Sequence, residues 1–393
     1  MAPSKPLSPH RRAAAPTPVA RPISLAILAT ALATAAAMLT GPAASAAPKS
    51  PRTTTLAKGL IGPLRVAVAP EGVYVAESFK GTITLVRPGK KPKVVYAVGD
   101  GGEVGAVSYA AGQLTFTLSP PEPEGAPRVA ARKKAATTPA SPTLYRMDTA
   151  TGKVRKVADL GAFEAAHNPD GAVSYGFTDL PADCAAQLPA ELGPATHTGE
   201  VFSHPYATAT IGKTTYVADA GANTVLAVNA RGKVRKVAVL PAPSFTPTAQ
   251  DAAALGVPAC VAGHAYLSEP VPTDIEIGPG KKLYVSTLGG GLGEQIPLGT
   301  VAKINPKSGA VKAVADGLLA PAGLAVTSKR SVLVSSLFGG TISRVAPGGK
   351  VKVVLKAPLP AEVEAEDGWV YATTNAVPAE NAPPAGKLVR FRS

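Results

Sequence analysis

Residues 204–237 hold four short strand-like runs in order: His204-Pro205-Tyr206-Ala207, Thr215-Tyr216-Val217-Ala218, Thr224-Val225-Leu226-Ala227-Val228 and Lys233-Val234-Arg235-Lys236-Val237. β-Branched and small apolar residues dominate each run, and Gly212, Asn223 and Gly232 punctuate the turns between them, which is how consecutive hairpin strands read. Pro205 fits the first residue of a strand, where no ladder donor is required. The same four-part unit recurs on both sides. Its opening strand returns as Gly62-Pro63-Leu64-Arg65-Val66-Ala67-Val68, Val271-Pro272-Thr273-Asp274-Ile275 and Ala320-Pro321-Ala322-Gly323-Leu324-Ala325-Val326. Second strands recur as Val73-Tyr74-Val75-Ala76, Leu114-Thr115-Phe116, Leu283-Tyr284-Val285-Ser286, Val332-Leu333-Val334-Ser335 and Trp369-Val370-Tyr371-Ala372. Fourth strands recur as Lys93-Val94-Val95, Lys153-Val154-Arg155-Lys156-Val157, Val311-Lys312-Ala313-Val314 and Lys350-Val351-Lys352-Val353-Val354.

The sixth unit runs out of chain after Lys387-Leu388-Val389-Arg390, before any fourth strand. A matching strand lies at the other end. Thr54-Thr55-Leu56-Ala57-Lys58-Gly59-Leu60 reads like Ala313-Val314-Ala315-Asp316-Gly317-Leu318, and both lead straight into a Pro-opened strand. The repeat therefore predicts an all-β fold: a six-bladed β-propeller of four-stranded antiparallel blades, closed by the N-terminal strand. Lys and Arg gather in the fourth strands, the outer edges of the blades, where charge guards against edge-to-edge pairing. Aromatic residues do not interleave these charges, so nucleic acid is not an expected partner.

The chain preceding the repeat reads as an export signal over residues 1–46. Lys5, Arg11, Arg12 and Arg21 precede an Ala-rich apolar run through Leu39, and Ala44-Ser45-Ala46 offers a small-x-small cleavage site. Residues 47–393 then form the propeller domain, and no remaining stretch is long and apolar enough to insert in a membrane. Loss of the four basic signal residues takes the net charge from +14 to about +10, which suits an anionic extracellular or cell-wall partner. In an exported chain the two cysteines, Cys184 and Cys260, are expected to form a disulfide.

Strand parity places every long insertion on one face: 119–142, 161–203, 241–269, 288–299 and 374–386. Turns on the opposite face, such as Pro70-Glu71-Gly72 and Ala230-Arg231-Gly232, are short. Insertions concentrated on one face mark a binding face. The first, 119–142, is low-complexity and reads as a disordered loop. The second and third carry both cysteines and, with His204 immediately after the second, the histidines His167, His197, His204 and His264, without the close spacing of a zinc site. Gly289-Gly290-Gly291-Leu292-Gly293 lies between strands with no helix following, so it is not expected to cradle phosphate. No Gly-x-Ser-x-Gly elbow or Ser/His/Asp set is evident. Glu103, Asp274 and Glu362 fall near the starts of inner strands, at the expected channel mouth, where hard oxygen ligands could hold calcium. Gluconolactonase-type propellers use central acids in that way, although the motif context here differs.

The segments Glu164-Ala165-Ala166-His167-Asn168-Pro169-Asp170-Gly171, His204-Pro205-Tyr206 and Tyr216-Val217-Ala218-Asp219-Ala220-Gly221-Ala222-Asn223 resemble the ScyD/ScyE-type secreted propellers of bacteria. Val271-Pro272-Thr273-Asp274 and Pro321-Ala322-Gly323-Leu324-Ala325-Val326 continue the resemblance, which departs by placing His204 where Asn is usual. It implies the fold and export but no catalytic residues. The leading expectation is a non-catalytic binding propeller without a cofactor, contacting its ligand through Asn168, Asp170, His204, Tyr206, Asp219 and Asn223. The alternative is a metal-dependent lactonase or hydrolase built on Glu103, Asp274 and Glu362.

Overall fold

The structure, a computed structural model, describes residues 51–99, 101–121, 141–328, 330–379 and 381–392. The expected signal segment and nearly all of the low-complexity insertion lie outside these residues. Six antiparallel four-stranded sheets follow the repeat. Blade one comprises Pro63–Ala69, Gly72–Glu77, Thr82–Val86 and Lys93–Ala97, and blade two Glu103–Ala110, Gln113–Ser119, Thr143–Asp148 and Val154–Asp159. Blade three comprises Pro205–Ile211, Thr214–Asp219, Thr224–Val228 and Val234–Val239. Blade four comprises Pro272–Gly278, Lys282–Thr287, Gly299–Ile304 and Val311–Leu318, and blade five Pro321–Val326, Val332–Ser336, Thr341–Val345 and Val351–Lys356. Blade six joins the two chain ends: Val363–Glu366, Trp369–Thr374 and Gly386–Arg392 are completed by Thr54–Leu60, which pairs antiparallel with the C-terminal strand.

The core is divided among the junctions between blades. Ile83 and Tyr74 of blade one pack with Phe116, Leu114 and Val104 of blade two. Leu144 and Leu160 meet Val217 and Leu226 at the next junction, and Val225 meets Ile275 and Val285 at the one after. Val301 packs with Leu324 and Val334, and Ile342 with Val363, Val370 and Phe391. At the last junction Ala57, Leu60 and Leu388 of blade six bury against Val66, Val73 and Val75 of blade one. Apolar burial thus runs around the ring with the N-terminal strand inside it, as the repeat requires.

Hydroxyl groups fasten blades at four of the six junctions. Thr117 of blade two accepts from the Ala106 amide at 2.9 Å and donates to the Pro205 carbonyl of blade three at 2.9 Å. Ser335 of blade five donates to Ala361 at 2.6 Å and accepts from the Gly323 amide at 2.8 Å. Ser78 reaches the Val104 carbonyl at 2.8 Å, and Thr273 reaches that of Pro321 at 3.0 Å. These bonds satisfy backbone groups at strand starts that no ladder reaches.

The second and third insertions are not loops. They fold together into a seventh sheet in which Ser174–Phe177 lies between Thr196–Thr198 and Tyr266–Leu267, with Ser244–Phe245 on the outside. Short helices Leu160–His167, Ala182–Ala185 and Ala249–Leu255 accompany it. Cys184 and Cys260 form the expected disulfide across 76 residues of chain, with Cα atoms 5.9 Å apart. Phe177, Cys184, Ala252 and Val261 form a separate small core beneath it. This unit is a cap on the insertion face. Its pairing joins strands from two distant insertions, which no periodicity within either could reveal.

Candidate functional site

Five of the inner strands carry a register shift close to their start: between Pro63 and Arg65, Val104 and Val107, Pro205 and Ala207, Pro272 and Asp274, and Pro321 and Leu324. Such bulges bend a strand and re-aim its side chains. Here they bring Arg65, Tyr206 and Asp274 together near the channel axis. Arg65 is 2% exposed. Its guanidinium donates to the Leu64 carbonyl at 2.7 Å, to the Tyr206 carbonyl at 2.9 Å, to the Thr273 carbonyl, and to Glu362 at 3.2 Å. One side chain thereby joins blades one, three, four and six.

This arrangement governs the carboxylates expected at the mouth. Glu362 is buried, ion-paired to Arg65 and bonded to the Val363 amide at 2.8 Å. Asp274 is buried too and accepts from the Leu324 amide at 2.6 Å and the Ile275 amide at 2.7 Å. Burial pushes both carboxyls up, and their proximity to one another pushes Glu362 up further against the opposing pull of Arg65. Glu103 stands apart from them and bonds His204 Nε2 at 2.7 Å. Burial alone would raise Glu103, but the bonded imidazole and Arg65 outweigh it and hold the carboxyl below its ordinary value. Among the described residues no three His, Cys, Asp or Glu side chains form a metal-ligating group.

His204 belongs to an aromatic row at the mouth. Phe202 meets it edge-on at 6.1 Å, and Tyr206 does so at 5.0 Å. Arg65 sits 4.9 Å from the Tyr206 ring centre. Phe202, 45% exposed, lies so close to Gly221 that a Cβ there would come within 2.6 Å of its ring. The outer ring of the row therefore rests against the Gly221 backbone and still meets solvent.

Of the six residues expected to bind, only His204 and Tyr206 lie at this mouth. Asp170, Asp219 and Asn223 join the cap to blade three, and Asn168 bonds within the cap. Asp219 is fully buried and accepts from Ser203 at 2.6 Å and from the His204 amide at 2.7 Å. Asp170 accepts from Asn223 at 2.9 Å and from the Tyr175 hydroxyl at 3.1 Å. Asn223 also accepts from the Val271 amide at 3.0 Å. That bond holds a valine at φ 50°, a left-handed conformation costly for a β-branched residue. Asn168 ends the helix Leu160–His167 in the left-handed region, φ 32°, and donates to the Gly199 carbonyl at 3.0 Å. The Gly289–Gly293 run leads into a short 3₁₀ turn, Gly291–Glu294, rather than an α-helix.

Three functional candidates were not singled out by sequence. Arg65 had a signal: a lone cation inside an otherwise apolar strand. Phe202 had none, since its neighbours arrive through the fold. Glu164 looked like an ordinary helix residue, yet it is 1% exposed, and burial together with Asp219 and Asp170 lifts its carboxyl to about 8.

No protein-family model matches the sequence, and no curated protein matches it. Solved structures do. The PQQ-bound aldose sugar dehydrogenase of Streptomyces coelicolor is similar at TM-score 0.51 and 13% identity, over 88% of this chain and 99% of that one. A candidate oxidoreductase (glucose dehydrogenase) of Thermus thermophilus is similar at TM-score 0.51 and 16% identity, over 87% and 99%. A Bacteroides thetaiotaomicron protein of unknown function is similar at TM-score 0.52 and 12% identity, over 86% and 75%. At such identities the likeness is one of fold alone: this chain is a β-propeller.

Proposed function

We propose that the protein is an exported, non-catalytic propeller of the ScyD/ScyE type that binds an extracellular or cell-wall ligand at the channel mouth on its capped face. The observation that carries this reading is the row Phe202, His204 and Tyr206 beside the Glu103 carboxylate. A solvent-facing ring next to a hydrogen-bond acceptor is suited to stacking on a ring-shaped ligand and orienting its hydroxyls. The hydrolase alternative has less support, because Asp274 and Glu362 are already bonded to backbone amides and to Arg65. The disulfide agrees with an oxidising compartment, and no helix among the described residues is long and apolar enough to cross a membrane.

Equilibrium binding of the mature chain to peptidoglycan and teichoic-acid fragments tests the reading. Phe202→Ala is expected to weaken binding on the order of tenfold, as loss of one stacked aromatic contact implies. Binding unchanged in Phe202→Ala, or release of hydrolysis products from the fragments, would overturn it.

A further inference from the structure

The helix Leu160–His167 and the turn that follows it contain a concentration of unmet polar atoms. Eight buried side-chain nitrogen or oxygen atoms among the described residues have no hydrogen-bond partner. Four of them fall within residues 164–170: both carboxylate oxygens of Glu164, the amide oxygen of Asn168 and one carboxylate oxygen of Asp170. All four are acceptors. A buried acceptor without a partner is costly, and a buried carboxylate with two such oxygens more so. Each of the other two residues is fixed by separate bonds: Asn168 through its amide nitrogen to Gly199, Asp170 through its second oxygen to Asn223 and Tyr175. Their orphan oxygens are therefore held in place by groups that do not satisfy them.

The three residues that carry these atoms are adjacent. The Asn168 amide closes the last helical turn on the Glu164 carbonyl at 2.8 Å. Gly199 borders both the Asn168 and the Asp170 side chains, and Asp170 and Asp219 are the charges that act on Glu164. Asp219 is satisfied by three donors. Lys236 approaches only the Pro169 carbonyl, from solvent. The junction thus gathers negative charge and oxygen acceptors with no buried cation against Glu164 among the described residues.

We infer that Glu164, Asn168 and Asp170 bind one calcium ion that fastens the cap to blade three. Two carboxylates and an amide oxygen form a hard, all-oxygen donor set of the kind calcium accepts in flexible geometry, with water completing the shell. Magnesium, which dehydrates reluctantly and demands octahedral geometry, fits less well. This site is separate from the channel mouth and does not depend on what binds there. It also gives the unmet oxygens of Asn168 and Asp170 a common partner.

Terbium, a luminescent stand-in for calcium, tests the assignment, because Tyr175 touches Asp170 and can sensitise a bound lanthanide. Chelator-treated mature protein is expected to show tyrosine-excited terbium emission that calcium displaces. Glu164→Gln, similar in size and uncharged, should weaken terbium and calcium binding on the order of 10–100-fold and abolish the calcium-induced rise in melting temperature. Tyr175→Phe should lose the emission and keep the calcium-induced rise. Absence of both emission and thermal shift in folded wild-type protein overturns the site. So does a full calcium response in folded Glu164→Gln, which would place the ion elsewhere.

Discussion

Replacing Arg65 with methionine should be among the most damaging single changes to the ring. The substitution keeps much of the side-chain length and removes the charge that joins blade one to blades three, four and six. Breaking one partner of a buried ion pair costs about 3–5 kcal/mol. The carbonyls of Leu64, Tyr206 and Thr273 lose their donor as well, at about 1–3 kcal/mol for each that stays buried and unmet. Glu362 limits the damage by taking up a proton, since burial and Asp274 already push it well above its ordinary value. A net loss of about 3–5 kcal/mol is therefore expected. Arg65→Lys should recover little, because one ammonium cannot span the same set of acceptors. Urea unfolding reads the effect as a fall in midpoint at unchanged slope. Arg65→Met/Glu362→Gln should be less damaged than the sum of the two single variants, because each leaves the other partner stranded. A loss in Arg65→Met below about 1 kcal/mol, the scale of an exposed pair, or strict additivity in the double variant, would refute the hub.

Three further outcomes are expected. Thr117→Val should cost about 1–3 kcal/mol in urea unfolding, because it strands the Ala106 amide and Pro205 carbonyl that Thr117 bridges. Replacing Cys184 and Cys260 together by serine should destabilise the cap by about 4 kcal/mol, the entropy scale for a closed loop of this length, and limited proteolysis should then cut within 161–203 or 241–269 before the blades. His197 is held above its ordinary value of 6.5 by its bond to Glu269 at 3.3 Å, against burial and with added help from the charges of Glu269, Glu200 and Asp170. A raised imidazole stabilises the fold fully below its unfolded value and loses that contribution as pH rises through the folded one. NMR titration should show the raised value and its fall in Glu269→Gln, and amide exchange at Gly176 and Leu267 should quicken across the same rise in pH.

Much of this was legible because a propeller is written as a local repeat. Pro63, Pro205, Pro272 and Pro321 mark strand starts, Gly and Asn mark turns, and the resemblance of 54–60 to 313–318 reveals the closing strand without any long-range information. Lys233, Arg235 and Lys236 could be placed on an outer edge for the same reason. The mouth was less legible. Glu103, Asp274 and Glu362 were placed near it by their position in the repeat, but repeat position does not say whether a carboxylate faces solvent or a buried guanidinium. Asn168, Asp170, Asp219 and Asn223 formed a recognisable polar motif. The sequence could not show which groups they bond: Asp170 meets Asn223 across 53 residues of chain, and Asn168 meets Gly199 within its own insertion.

The sequence by itself determined the blade count, the strand order, the closing strand and the disulfide pairing, because each is set by spacing along the chain or by having only two cysteines to join. Tertiary structure alone decided that two insertions become one cap, that Arg65 occupies the centre, that Phe202 joins His204 and Tyr206, and that Glu164 is buried with both carboxylate oxygens unmet. Those features depend on which distant strands meet and on what each side chain finds within a few ångströms. Burial multiplies the energetic weight of such encounters, and no local pattern encodes them.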